Sequence, residues 1–307
     1  LWEIRSQILD TPSGTWYNKK NREIVRKLRM VSREELLEVI QRLRLIDDDF
    51  FTVCFDKNIE CTELLLHIIL GRTDLKVERV DTQVNLPNLR GRSVRLDAYA
   101  RDTQGRRYNI EIQRDDRGAD PRRARYNSSL MDADVSLPGE AYGDLPDVYV
   151  IFITEHDFYH LGLPLYEFER TCSNAGLNFN DGSHIIYVNG SYRGDSPLGK
   201  LMADFHARQP EEMNYPALQK RLNYFKNVPE GVEHMCVEVE RLVERLVESQ
   251  SNIARAEGRV EGISEGERKN AIENATKMLT KNLPIELISE CTGLTVEEVT
   301  ALAENVK

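Results

Sequence analysis

The stretch "SVRLDAYARDTQGRRYNIEIQ", residues 93–113, constrains the fold more than any other. Two alternating runs flank a short polar segment containing Gly105. That is the pattern of a β-hairpin. Take Thr103, Gln104 and Gly105 as a three-residue loop, with Gly105 in the left-handed conformation such loops require. Asp102 then faces Arg106, and Asp97 falls opposite Glu111. Directly opposed residues point to one face, with Cβ atoms roughly 4.5–5.5 Å apart. A two- or four-residue loop would send the two acids to opposite faces. The register therefore decides whether this hairpin carries a paired-acid site.

Two carboxylates that close repel unless positive charge sits between them. A hard divalent cation is the natural answer. Mg²⁺ takes one or two carboxylates, keeps several waters and accepts phosphate oxygens as further ligands. Gln113 shares the face of Glu111, and its amide can orient a water or a phosphate oxygen. Ile110 and Ile112 point the other way and anchor the strand. From Arg90 to Arg125 there are eleven arginines against six acids, in a chain whose formal net charge is -10. The overall charge excludes a protein that coats nucleic acid indiscriminately, but charge acts patch by patch. Arginine forks suit phosphate oxygens. Arg95, Arg114, Arg122 and Arg123 are the candidates, with ordinary salt bridging to Asp102, Asp115, Asp116 and Asp120 as the alternative.

The rest of the chain gives the frame. Residues 1–47 read as a helical arm, with Ser32 and Glu35 forming a capping box before "SREELLEVIQRLRLI". Its basic stretch "YNKKNREIVRKLR" suits a solvated helix face or a phosphate contact. "IECTELLLHIIL" reads as a buried helix, and Glu63 within it needs either solvent or a partner. "KVERVDTQVNLP" is a strand that ends at Pro87. "PRRARYNSSLMDA" is a helix opened by Pro121. "DVYVIFIT" is a strand buried on both faces, "SHIIYVNG" another, and "SPLGKLMADFHA" a helix capped by Ser196. His156 and His160 in "EHDFYH" lie four apart, as a metal pair on a helix would, but the pattern is incomplete.

Beyond residue 210 the composition turns acidic and helical. Gly258, Gly262 and Gly266 recur every four residues, as a flexible connector or a helix-pairing stripe. The last forty or so residues read as three short helices. Pro284 breaks the first from the second, Gly293 ends the second, and Thr295 with Glu298 caps the third. Helix, glycine turn, helix is also the shape of a helix-turn-helix, although the final helix is acidic. The expected organisation is an arm (1–47), a sheet-containing domain (48–210), an acidic helical connector (211–268) and a small helical unit (269–307). Five cysteines match no zinc or disulfide spacing, so reduced thiols in a cytoplasmic protein are expected. No membrane span, secretory signal or small-molecule cofactor is expected.

The run "VRLDAYARDTQGRRYNIEIQR", followed by "RRARYNSSLMD" and "PDVYVIFIT", resembles the PD-(D/E)XK nuclease superfamily. The closer resemblance is to its branch of PD-(D/E)XK nuclease family transposases, or recombination-promoting nucleases. The resemblance spans roughly residues 45–210, and the helical tail is also similar. It implies an α/β fold: a restriction-endonuclease-like core with a mixed central sheet flanked by helices, plus the helical arm and tail. It also implies a metal-dependent DNA endonuclease of mobile elements or recombination, cutting phosphodiesters to leave 5′-phosphate and 3′-hydroxyl. By position, Asp97 and Glu111 would be the metal ligands for Mg²⁺, with Mn²⁺ able to substitute. Glu63 would be the accessory acid, and Arg123 and Tyr126 would face phosphate. Gln113 stands where many members carry lysine, so it offers a hydrogen bond without the charge. DNA is the implied partner, and cutting both strands would call for a homodimer. The alternative is a catalytically inactive nuclease fold kept as a DNA-binding or protein-interaction module.

Overall fold

The computed structural model describes residues 32–88 and 91–306. The basic stretch upstream of Ser32 lies outside them. Ten-residue helix α1 (Arg33–Arg42) starts at Ser32, where the expected capping box is present in both directions. Helices α2 (Asp48–Phe55) and α3 (Ile59–Leu70) follow, then strands β1 (Val77–Leu86), β2 (Val94–Asp102) and β3 (Arg107–Gln113). Helix α4 (Pro121–Val135) crosses over to β4 (Val148–Thr154). Then come β5 (Leu165–Phe168), the small hairpin β6 (Thr171–Cys172) and β7 (Leu177–Asn178), and β8 (Ser183–Asn189). Helices α5 (Pro197–His206), α6 (Pro216–Asn227), α7 (Pro229–Leu279), α8 (Ile285–Thr292) and α9 (Val296–Val306) complete the chain.

Six strands form one mixed sheet in the order β1-β2-β3-β4-β8-β5. The pairs β1–β2, β2–β3 and β5–β8 are antiparallel, whereas β3–β4 and β4–β8 are parallel. All seven residues of β4 are buried, as a central strand with parallel neighbours and helices on both faces requires. Phe50, Phe51, Phe55, Phe205 and Phe225 fill the larger core, under α1–α3, α5 and α6. Ala124 and Met131 of α4 pack against Val150, Phe152 and Tyr187 on the other face. This is the expected α/β architecture, a mixed sheet flanked by helices.

The chain divides into two compact units, with the division near residue 240. The first includes α1 and α6, so the sheet's core reaches beyond the expected 48–210 on both sides. Lys226 helps join these pieces. It is buried, and its ammonium donates to the carbonyls of Gln41 (3.0 Å), Leu43 (2.6 Å) and Arg208 (2.6 Å). The second unit, by itself, packs the end of α7 with α8 and α9 around Ala275, Ile288, Leu294 and Val299. Thr295 and Glu298 make the expected capping box. The connector and the first of the three expected short helices are one continuous helix of 51 residues. The glycines at 258, 262 and 266 do not break it, because three scattered costs of about 1 kcal/mol each do not outweigh propagation on both sides.

Candidate active site

The hairpin loop adopts the three-residue form. Gly105 has φ +85°, and Asp102 and Arg106 pair across the loop. Arg101 faces Arg107, Tyr99 faces Asn109 and Ala98 faces Ile110. One step further puts Asp97 opposite Glu111. Asp102 donates its backbone N–H to Arg106. Hydrogen-bonded pairs alternate in an antiparallel ladder, so the next such pair past Ala98 and Ile110 would be Leu96 and Ile112. There the strands part. Ile112 donates its N–H to Asp97 Oδ2 instead, at 3.1 Å. A side-chain carboxylate thus replaces a main-chain acceptor, and that fixes Asp97 beside Glu111.

Glu111 is fully buried. Its Oε2 accepts from Arg123 Nη2 at 2.6 Å and from Gln113 Nε2 at 3.4 Å. Its Oε1 is buried with no hydrogen-bond partner among the described residues. Burial pushes the Glu111 carboxyl above its ordinary value, and Arg123 opposes the shift. Asp97 is raised well above its ordinary value, first by burial, then by Glu111, then by Asp48. An orphaned oxygen and mutually repelling acids in a low-dielectric pocket fit a hard cation bound by oxygen ligands.

Gln113 and Arg123 are held together by one close approach. Arg123 Nη1 donates to the carbonyl of Gly118 at 2.8 Å. A Cβ on Gly118 would lie 1.8 Å from Gln113 Oε1, so only glycine leaves the amide where it is. The Arg123 guanidinium also lies 5.8 Å from the centre of the Phe152 ring. A fixed positive charge therefore reaches Glu111 from α4, although the motif position on β3 carries a neutral amide.

Asp48 was not among the residues singled out in the sequence. It opens α2, which packs on β1, β2 and β3. Its neighbour Asp47 joins a box with Arg44, Arg114 and Glu155. Arg114 donates from Nη1 to Asp47 Oδ1 and from Nε to Glu155 Oε2, at 2.6 Å each. Arg44 reaches Asp47 and Glu155 at 3.3 Å each. Burial pushes Glu155 up, but Arg114 and Arg44 outweigh it and hold the carboxyl below its usual value. The box ties the start of α2 to the ends of β3 and β4, and so sets Asp48 near Asp97. The signal in the sequence was the acid run Asp47–Asp49 directly before the apolar helix "FFTVCF".

Several expected residues lie elsewhere. Glu63 accepts from the N–H of Val77 at 2.9 Å and from Lys76 Nζ at 3.2 Å. Val77 pairs with Asp102, five residues along β2 from Asp97, a separation of about 17 Å at strand rise. Glu63 is thus a structural cap for β1 and is not gathered with the acid pair. Arg114 serves the box rather than an open surface. Tyr126 ties Asn88 to Arg92: its hydroxyl donates to the Arg92 carbonyl at 2.5 Å and accepts from Asn88 Nδ2 at 2.9 Å. Arg95 and Arg122 are exposed, and Arg95 lies near enough to lower the Glu111 pKa. His156 and His160 sit in a loop, not on a helix, so they do not form the helical metal pair.

A family model described as PD-(D/E)XK nuclease family transposase matches residues 56–277, well over half of the chain. The chain belongs to this family. No curated protein and no solved structure matches it. Asp97, Glu111 and Gln113 lie within the matched segment. Asp48 precedes the matched segment. No described helix is long and apolar enough to cross a membrane.

Proposed function

We propose that this protein is a Mg²⁺-dependent DNA endonuclease that hydrolyses phosphodiester bonds in a mobile-element or recombination setting in the cytoplasm. Family membership supports nuclease or transposition chemistry. The observation that carries the reading further is the acid pair where β2 and β3 part, with one Glu111 oxygen left without a partner among the described residues. Asp97 and Glu111 would hold the ion, with Asp48 beside them, and Mn²⁺ would substitute. Such an ion, when bound, neutralises phosphate charge and makes water a better nucleophile. Gln113 would orient the attacking water. Arg123 would supply the positive charge that Gln113 lacks. Arg95 and Arg122 offer exposed forks for the DNA backbone. Double-strand cutting needs two such sites, so a homodimer would serve it.

A second reading is a module that binds DNA without cutting it. Gln113 in the lysine position and the Arg123–Glu111 ion pair favour it. Nicking of supercoiled plasmid separates the two. Wild type is expected to nick with Mg²⁺ or Mn²⁺, and Glu111→Ala or chelator to reduce the rate by about 10² or more. Equal nicking by both proteins would place the activity elsewhere. DNA binding without nicking by either would favour the module.

A further inference from the structure

A second set of ligating side chains lies on the opposite face of the sheet from the acid pair. The register aligns Glu111, Phe152 and Tyr187 in one row across β3, β4 and β8, and Tyr108, Tyr149 and His184 in another. The rows are three residues apart, so their side chains point to opposite faces. On β5, Glu167 pairs with Ile186, and continuing that register brings Glu169 alongside His184. Glu167, Glu169 and His184 each place one ligand atom within 4.8 Å of the others.

His184 is preset. Its ring stacks on Tyr149 at 4.4 Å and 13°, and Tyr149 stacks on Tyr108 at 5.0 Å and 20°. Its Nδ1 is buried without a hydrogen-bond partner among the described residues. The nearest acid atom, Glu169 Oε1, lies at 3.5 Å, too far for a proper hydrogen bond. An oriented imidazole nitrogen therefore faces two carboxylates and is satisfied by neither.

We propose that Glu167, Glu169 and His184 form a zinc-class site separate from the active centre. One imidazole and two carboxylates are a ligand set for Zn²⁺, at about 2.0–2.2 Å each, with water completing a tetrahedron. Both glutamates are exposed, so small rotamer changes bring the oxygens to that distance. The imidazole selects against Mg²⁺, which prefers all-oxygen shells. The bound ion clamps edge strand β5, and the small hairpin that follows it, onto β8. This holds whether or not the acid pair is a nuclease centre.

The test is equilibrium dialysis of the full chain against zinc, in excess Mg²⁺, with thermal melting alongside. Wild type is expected to hold one more zinc than Glu169→Gln or His184→Gln. Zinc should raise the melting temperature of wild type and leave both variants unmoved. Asp97→Asn should keep the extra zinc, which distinguishes this site from the acid pair. Glu169→Gln alters an exposed residue, so it decides the matter even if His184→Gln folds poorly. Equal zinc content in wild type and Glu169→Gln would overturn the proposal, and so would a melting temperature that zinc does not change.

Discussion

Asp97 shows how a residue placed for chemistry burdens the fold. It lies beside buried Glu111, with Asp48 near, and its pKa is pushed up by burial and by both neighbours. Replacing it with asparagine keeps an acceptor for Ile112 N–H, removes a repelling charge and offers Glu111 a donor. In chelator, Asp97→Asn should be more stable than wild type by about 1 kcal/mol, read from the urea midpoint. A lower midpoint would mean the acids are not in conflict. Gly118 makes the complementary point. Gly118→Ala must displace the Gln113 amide, which is the end of a flexible side chain. Stability should change by less than about 1 kcal/mol, while plasmid nicking falls about tenfold or more. Unchanged nicking would show that the amide's position is idle. At this scale the hairpin was legible, because loop length alone set Asp97 against Glu111. Asp48 and Glu63 were not. Two acids on neighbouring helices look alike in sequence, and only packing brings one to the pair and spends the other on the Val77 amide.

Among the elements, Lys226 of α6 joins the end of α1 to the segment after α5. Its three donors match three carbonyls, so Lys226→Met strands them. The expected loss is about 3 kcal/mol. Burial lowers the lysine pKa from 10.5 to about 8. Between those values the unfolded chain holds a proton that the folded chain has shed, so stability rises with pH there. The stability difference between wild type and Lys226→Met should therefore grow from pH 8 to 10.5 in urea titrations. A flat difference would contradict the assignment. Capping boxes, the buried strand and the helix openings at Pro121 and Pro197 were all readable, because each depends on neighbours in sequence. The continuous α7 was not. Three glycines suit either a semi-flexible connector or a stripe on an unbroken helix, and whether a helix survives them depends on its length on either side.

For the whole molecule, the order of strands and helices was readable from patterns along the chain, whereas the mixed sheet flanked by helices was what the family resemblance implied. The extent of the first unit was not readable, since α1 and α6 earn their place through contacts with distant residues. The thiols report on that packing. Cys54, Cys61 and Cys236 are buried, whereas Cys172 and Cys291 are exposed. Burial raises the Cys61 pKa to about 12 and that of Cys54 further, so little thiolate forms in the fold. Two cysteines should react quickly with a thiol reagent at pH 8, and the other three only with unfolding. A third fast thiol would contradict the burial of α2, α3 or the start of α7.

The central claim is that Asp97 and Glu111 form one cation site. Calorimetric titration of Mg²⁺ into wild type and Glu111→Ala tests it most directly, since Mg²⁺ favours oxygen ligands and needs no substrate. Wild type should bind Mg²⁺ with a rise in melting temperature, and Glu111→Ala should show neither. Equal Mg²⁺ binding by both proteins, or none by wild type, would contradict the account.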